Sequence, residues 1–287
     1  MTGRVAIVTD SSACIPAELV EKYGIELVPM NVILGDKTYR DGIDISPTEF
    51  YTLIRQTKEL PTTAHSSPGA HFEAYRRASL RTANILCITH SSRFSGQFNS
   101  ARVAMEIAKT ALPDVVIEVL DCGTAAAAQG LVVLAAARAA TSGQSLTRVV
   151  ETAKSVARQV SLLAMVDTLD YLVKGGHVRR AAALASSLLR IKPIFTLNEG
   201  DARPVTNART TLGAIKRIIN IMGQKVVKGQ PLHVAVMHAD ALDEAIVLRD
   251  RIAAQFDCVE LFITEFTPVM GAHIGPGLVG IAFYSGD

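Results

Sequence analysis

Three times in the first half of the chain, a short apolar run gives way to a turn rich in Ser, Thr and Asp and then to a helix-forming stretch. RVAIV leads into TDSSA and PAELVEKYG, NILCI into THSSRFSG and QFNSARVAMEIAK, and VVIEVL into DCGTAAAAQG and an alanine-rich tract. Strands joined through helices pair in parallel, because a parallel neighbour can be reached only by a crossover, and the crossover helices then cover both faces of the sheet. The pattern predicts an α/β/α layer with a parallel sheet. Ligands on such sheets bind beyond the carboxyl ends of the strands, so the polar turns are where a site is expected.

Local signals fill the gaps between these units. VPMNVILGDKTYRDG reads as a hairpin turning near Gly35-Asp36, and Ser46-Pro47-Thr48-Glu49 is a capping box with Pro at the first helical position. Ser67-Pro68 opens another helix and leaves PTTAHS before it as an ordered loop. Apolar residues at 149, 150, 153, 156, 157 and 160 mark one face of the last helix of a first domain, residues 1–160.

Beyond residue 160 the pattern changes. SLLAMV, KPIFTL, PLHVAVM, CVELFITEF and LVGIAFY are strand candidates, with helices expected around 180–190, 210–222 and 241–255. Some of these strands alternate and their connections vary in length, which predicts a second domain, residues 161–287, of two α/β layers with a mixed sheet. With no flexible linker between the halves, a site between them is natural.

Balanced charge removes several function classes. A formal net charge of +2, with Lys and Arg dispersed, gives no footprint for nucleic acid or an anionic membrane surface. The longest apolar tract is broken by Gln129 and Arg138, short of the ~20 residues a membrane span needs. MTGRVAIVTDSSA holds too short an apolar run for a signal-peptide core, so a cytoplasmic location is expected. The cysteines Cys14, Cys87, Cys122 and Cys258 form no C-x-x-C pair, and the histidines show no ligand spacing, so no metal or cofactor is expected.

Two stretches are candidates for binding chemistry. THSSRFSGQFNSA sets Ser91, Ser92 and Ser95 between a strand end and a helix start, where hydroxyls and unpaired helix N–H groups suit a carboxylate. The same serines also read as simple helix caps. GAHIGPGLVG matches G-x-G-x-x-G at Gly275, Gly277 and Gly280, but a dinucleotide cradle needs a strand before the glycines and a helix after them, whereas this motif runs into a closing strand. The glycines instead shape a loop around His273. His71, His90, His233 and His238 read as core or surface histidines. A serine hydrolase using Ser95 and His273 is the rival reading, although G-x-S-x-G is missing its leading glycine at Arg93 and no acid stands out. No Walker motif is present.

Taken in order, VTDSSACIP, PTTAHSSPG, SSRFSGQFNSA, LDYLVKGGHV and GAHIGPGLVG span nearly the whole chain and resemble the DegV family of bacterial fatty-acid-binding proteins. The resemblance implies an α/β/α domain joined to a two-layer domain, with an acyl-chain tunnel between them. It also implies a carrier with no chemistry of its own, which presents a long-chain fatty acid to the catalytic subunit of a fatty acid kinase. By the same resemblance, Thr63, Ser95 and His273 hold the carboxylate, with Ser92, Gly96, Asn99 and Gly271 as supporting candidates. A small-molecule kinase related by fold to dihydroxyacetone kinases is the other enzyme reading. Two departures stand out: the family's T-S-Q-P is Thr63-Ala64-His65-Ser66 here, and its K-G-G-R is Lys174-Gly175-Gly176-His177, with Arg179 and Arg180 just beyond.

Overall fold

The computed structural model describes residues 4–57, 59–168, 171, 191–198 and 201–286. The expected helix at 180–190 and the segment from Lys174 to Arg180 lie outside them. Strands β1 (Val5–Asp10), β2 (Glu26–Val28), β6 (Asn84–Thr89) and β7 (Val116–Asp121) form a fully parallel sheet in the order β2-β1-β6-β7. Side chains alternate across it. Val5, Ile7, Leu86 and Ile88 face α5 (Ala126–Thr141) and α6 (Leu146–Gln159), while Ala6, Val8, Ile85 and Cys87 pack against α3 (Pro68–Ser79) and α4 (Gln97–Ala111). Burial on both faces explains why these runs are continuously apolar.

The hairpin is β3 (Asn31–Leu34) and β4 (Lys37–Arg40), and the capping box at Ser46 opens α2 (Pro47–Gln56) as expected. One expectation changes. Within PTTAHS, Thr62–Ala64 is not a loop but a third strand, β5, antiparallel to β3. Three residues are too few for an alternating pattern to show in sequence; the pairing partner makes the strand.

The second sheet has the order β10-β9-β8-β13-β11-β12, formed by β8 (Ser161–Met165), β9 (Lys192–Asn198), β10 (Asp201–Ala208), β11 (Leu232–His238), β12 (Glu260–Glu265) and β13 (Val279–Ser285). It is mixed, with β11 and β12 parallel and the other pairs antiparallel. Strand β10 gave no clear signal in sequence, because it is an edge strand with Pro204 beside a bulge. Leu163, Met165, Val234, Val236, Ile281 and Phe283 share a core with α7 (Thr211–Lys225) and α8 (Leu242–Ala253). The opposite face of this sheet belongs to the core that also contains α5.

Helix α5 therefore lies between two sheets, touching β1 on one side and β11 and β13 on the other. Thirteen of its sixteen residues are buried, so it has no solvent face and hence no amphipathic stripe. Alanine is the side chain that lets two sheets close on one helix. No described helix is long and apolar enough to cross a membrane.

Candidate functional site

The glycine motif has a different surrounding from the expected one. His273 is not on a loop but in the last turn of a short helix, α9 (Pro268–Ile274), opened by Pro268 at its first position. Gly275 and Gly277 come after this helix, and Gly280 is already in β13, so the glycines lie between a helix and a strand, the reverse of a dinucleotide cradle. The glycines answer to packing. At Gly275, with φ at +73°, a β-carbon would stand 2.3 Å from the Tyr171 ring, and at Gly280 one would stand 2.4 Å from the Leu163 carbonyl oxygen.

The parallel sheet reverses its strand order between β1 and β6, where β1 connects outward to β2 on one side and β6 to β7 on the other. Such a switch point opens a crevice at the carboxyl ends of the strands. A cavity starts there, lined by Ser12, His90 and Ser95, and continues over the mixed sheet. Its floor includes one row across four strands, in which Phe195, Ala164, Gly280 and Met237 stand directly opposite one another. The row is bulky at its ends and nearly bare in the middle, which makes a trough. Leu162, Val166, Leu197, Phe266, Val269 and Leu278 add apolar walls.

Two hydrogen-bonded pairs supply polar groups. Thr63 Oγ1, on β5, lies 2.9 Å from His273 Nε2. Ser95 Oγ, in the turn before α4, lies 2.7 Å from Nε2 of His90, and Nδ1 of that ring is 3.2 Å from Asp10 Oδ1. Thr63, Ser95 and His273 are thus brought to one cavity, but the histidine beside Ser95 is His90. His90, read from the sequence as a core or surface histidine, is buried, and beyond that reading it lines the cavity. Asp10, fully buried, also accepts from the His90 backbone N–H at 3.1 Å and from Gln129 Nε2 at 3.2 Å.

Burial alone would strip charge from His90 and Asp10, but their mutual attraction outweighs it. The Asp10 carboxylate, the hydrogen bond to it and the more distant Asp121 hold the His90 imidazole above its ordinary pKa, and His90 holds Asp10 below its own. A signal for this pair was present in the sequence. Val8-Thr9-Asp10-Ser11-Ser12 and Ile88-Thr89-His90-Ser91-Ser92 share one five-residue frame at the ends of two neighbouring parallel strands, offset by one position, with Thr9 opposite Ile88, so that Asp10 meets the backbone N–H and the ring of the following His90.

A family model described as "Uncharacterised protein, DegV family" matches residues 4–286. The chain belongs to the DegV family. It is 36% identical over 287 residues to a DegV domain-containing protein of Streptomyces coelicolor, covering 99% of this chain and 100% of that one. It is 31% identical over 280 residues to protein DegV of Bacillus subtilis, covering 97% and 98%. Among solved structures, a fatty-acid-binding DegV family protein from Thermus thermophilus superposes with a TM-score of 0.90 at 30% identity, covering 98% of this chain and 99% of that one. DegV from Bacillus subtilis, described as a fatty acid binding protein, gives 0.88 at 30%, covering 99% and 100%.

The supporting candidates of this DegV chain stand outside the cavity lining. Ser92 and Asn99 are exposed, and the Ser92 backbone N–H donates to Asp121 at 3.1 Å. Gly96 is the cap residue of α4 and lies under the His65 ring, where a β-carbon would meet Cε1 at 3.0 Å. Gly271 lets Phe50 and Tyr51 of α2 approach α9, where a β-carbon would stand 2.7 Å from the Tyr51 hydroxyl, and so seats the helix that carries His273. Ser66 and Gln97 tie β5 to α4: the Ser66 backbone N–H donates to Gln97 Oε1 at 2.8 Å, and Gln97 Nε2 donates to Ser66 Oγ at 3.1 Å.

His71 on α3 is buried as expected, but neither of its ring nitrogens has a hydrogen-bond partner among the described residues. Burial pushes its pKa down to about 4 from 6.5. The unfolded chain therefore binds more protons than the folded one between these values, and stability is lost as pH falls through that window. Replacing His71 by Leu removes this linkage. Relative to the wild type, the variant is expected to gain about 3 kcal/mol of stability on going from pH 7 to pH 4. Urea unfolding of both proteins at the two pH values measures it, and parallel pH dependences would contradict the assignment.

Proposed function

We propose that this chain binds a long-chain fatty acid in the cavity, with the carboxylate at Thr63, Ser95 and His273 and the alkyl chain over the trough of the mixed sheet. The observation that carries the reading is the division of the lining, in which hydroxyl–imidazole pairs provide the polar contacts and most of the remaining wall is aliphatic or aromatic. The fatty-acid-binding relatives from Thermus and Bacillus support it. About fifteen methylenes at ~0.8 kcal/mol each supply on the order of 12 kcal/mol before ordering costs, whereas a charged hydrogen bond supplies ~1.5–3. The tail sets affinity and the head sets position. In this reading the protein presents the carboxylate to a separate ATP-dependent kinase, which forms the acyl phosphate.

Mass spectrometry of small molecules released by denaturing the purified protein tests the ligand class. A fatty acid in near-stoichiometric amount is expected, and only nucleotide or a polar metabolite would overturn the reading. Ser95→Ala and Thr63→Val should each weaken binding roughly ten- to a hundredfold with the fold intact. With ATP, Mg²⁺ and fatty acid, the protein alone should make no acyl phosphate until the cognate kinase is added. Ser95, His90 and Asp10 also have the connectivity of a hydrolytic triad, which favours an esterase as the second reading. Turnover of 4-nitrophenyl decanoate that disappears in Ser95→Ala would select it.

A further inference from the structure

The hydrogen bonds around His90 determine which way each proton points. Thr9 Oγ1 donates to the Ile88 carbonyl at 2.7 Å, so it accepts from Gln129 Nε2 at 3.0 Å, and this orients the Gln129 amide with Nε2 toward Asp10 and Oε1 toward Ser12. The Ser12 hydroxyl then has its proton committed to Asp10 or to Gln129 Oε1. Among the described residues, His90 Nδ1 faces Asp10 Oδ1 at 3.2 Å and Ser12 Oγ at 3.1 Å, and both can accept from it. Nδ1 is protonated whatever the charge on the ring. The nitrogen whose state can change is Nε2, which faces Ser95.

Ser95 Oγ has one proton and two lone pairs, and the backbone N–H of Gln97 occupies one lone pair at 3.2 Å. When Nε2 is bare it takes the Ser95 proton, and the hydroxyl shows the cavity only a lone pair. When Nε2 carries a proton it fills the second lone pair of Ser95, and the only thing left to the hydroxyl is its own proton, free for the cavity. An ionised carboxylate is acceptor-only, so it can use the second arrangement and not the first.

We propose that Asp10 and His90 form a relay that sets the direction of the Ser95 hydroxyl bond, so that a bound carboxylate requires a proton on His90 Nε2. Above the pKa of His90 in the empty protein, binding takes that proton from solvent: anionic ligand, neutral His90 and one proton become a complex of carboxylate and imidazolium. This deepens the fatty-acid reading and rests on it. His90 acts through Ser95 and is a positioning residue. The charge of the occupant also keeps the triad from being a catalyst, because an imidazolium is no general base.

The surroundings favour the charged ring. Asp10 at the end of β1 and Asp121 at the end of β7 both act to protonate His90. Asp41, bonded through Oδ2 to the Ser11 hydroxyl at 2.6 Å, is coupled to Asp10, and burial pushes its pKa up to about 6. His71 and His65 lie on the α3 side, where burial pushes the pKa of His71 down to about 4 and leaves it neutral near pH 7 and above. Thr63 and His273 share the cavity.

Decanoate is a suitable probe, because it is monomeric and already ionised above pH 6. Its affinity for the wild type should fall at least tenfold between the plateau at low pH and pH 9 to 10, and calorimetry in buffers of different ionisation enthalpy should show up to one proton taken up on binding. His90→Gln keeps a donor for Ser95 but cannot titrate, so its affinity should not follow this curve and proton uptake should vanish. If the variant misfolds, ¹⁵N-histidine spectra of the wild type, with and without decanoate at pH 9, report the protonation of Nε2 directly. A flat wild-type profile, identical curves for wild type and His90→Gln, or a His90 that stays neutral in the complex would overturn the relay. Absence of binding at every pH would instead overturn the fatty-acid reading.

Discussion

Replacing Ala164 by Phe is expected to abolish retention of a long acyl chain while the protein still folds. Ala164 lies in β8 in the bare middle of the floor row, between Phe195 on β9 and Gly280 on β13, and it lines the cavity. Its side chain projects from the sheet face opposite Leu163 and Met165, which belong to the core under α7 and α8. A phenyl ring placed there fills the trough rather than that packed core, so the cost in stability should be modest. Displacing about five methylenes forfeits ~4 kcal/mol, roughly a thousandfold in affinity. The measurement is fatty acid released from equal amounts of folded wild type and variant, with folding checked by the urea midpoint. Equal release would place the chain elsewhere.

The second expected result has a sign opposite to helix propensity. Gly130 sits in α5, and Ala in place of an interior helical Gly ordinarily stabilises by about 1 kcal/mol. Here a β-carbon would stand 2.6 Å from the Ala13 carbonyl oxygen and 3.3 Å from Ile15 Cγ1. The first of these is backbone, which cannot rotate away. Gly130→Ala is therefore expected to destabilise by about 2–3 kcal/mol net, through overpacking. The damage should also reach the site, because the displaced turn, Ser11–Ala13, carries Ser12 next to Asp10. Urea unfolding at constant slope gives the stability change, and fatty acid binding by the refolded variant gives the effect on the site. A more stable Gly130→Ala protein would show that α5 does not press on this turn.

Much of the architecture was legible because it depends on local chemistry. Continuous apolar runs leading into helices identified the parallel strands, and caps such as Ser46 with Glu49 marked helix starts from within a single turn of chain. The elements that escaped were those whose identity depends on a partner. Strand β5 exists through its pairing with β3, β10 is an edge strand interrupted at Pro204, and α9 is a seven-residue helix held against α2. Alone, none of them buries enough surface to impose a periodicity.

The same distinction applies to the site. From the sequence alone came the strand-end turns, Thr63, Ser95 and His273 as candidates, and the family, because each resides in a short contiguous motif. Only the tertiary structure decided which imidazole meets which hydroxyl. His273 lies 210 residues beyond Thr63 and pairs with it, while Ser95 pairs with His90, whose own orientation comes from Asp10 across the strand order reversal between β1 and β6. A hydrogen bond is decided at about 3 Å, and sequence motifs do not specify distances between separate strand ends. Packing of two sheets on one alanine-rich helix does.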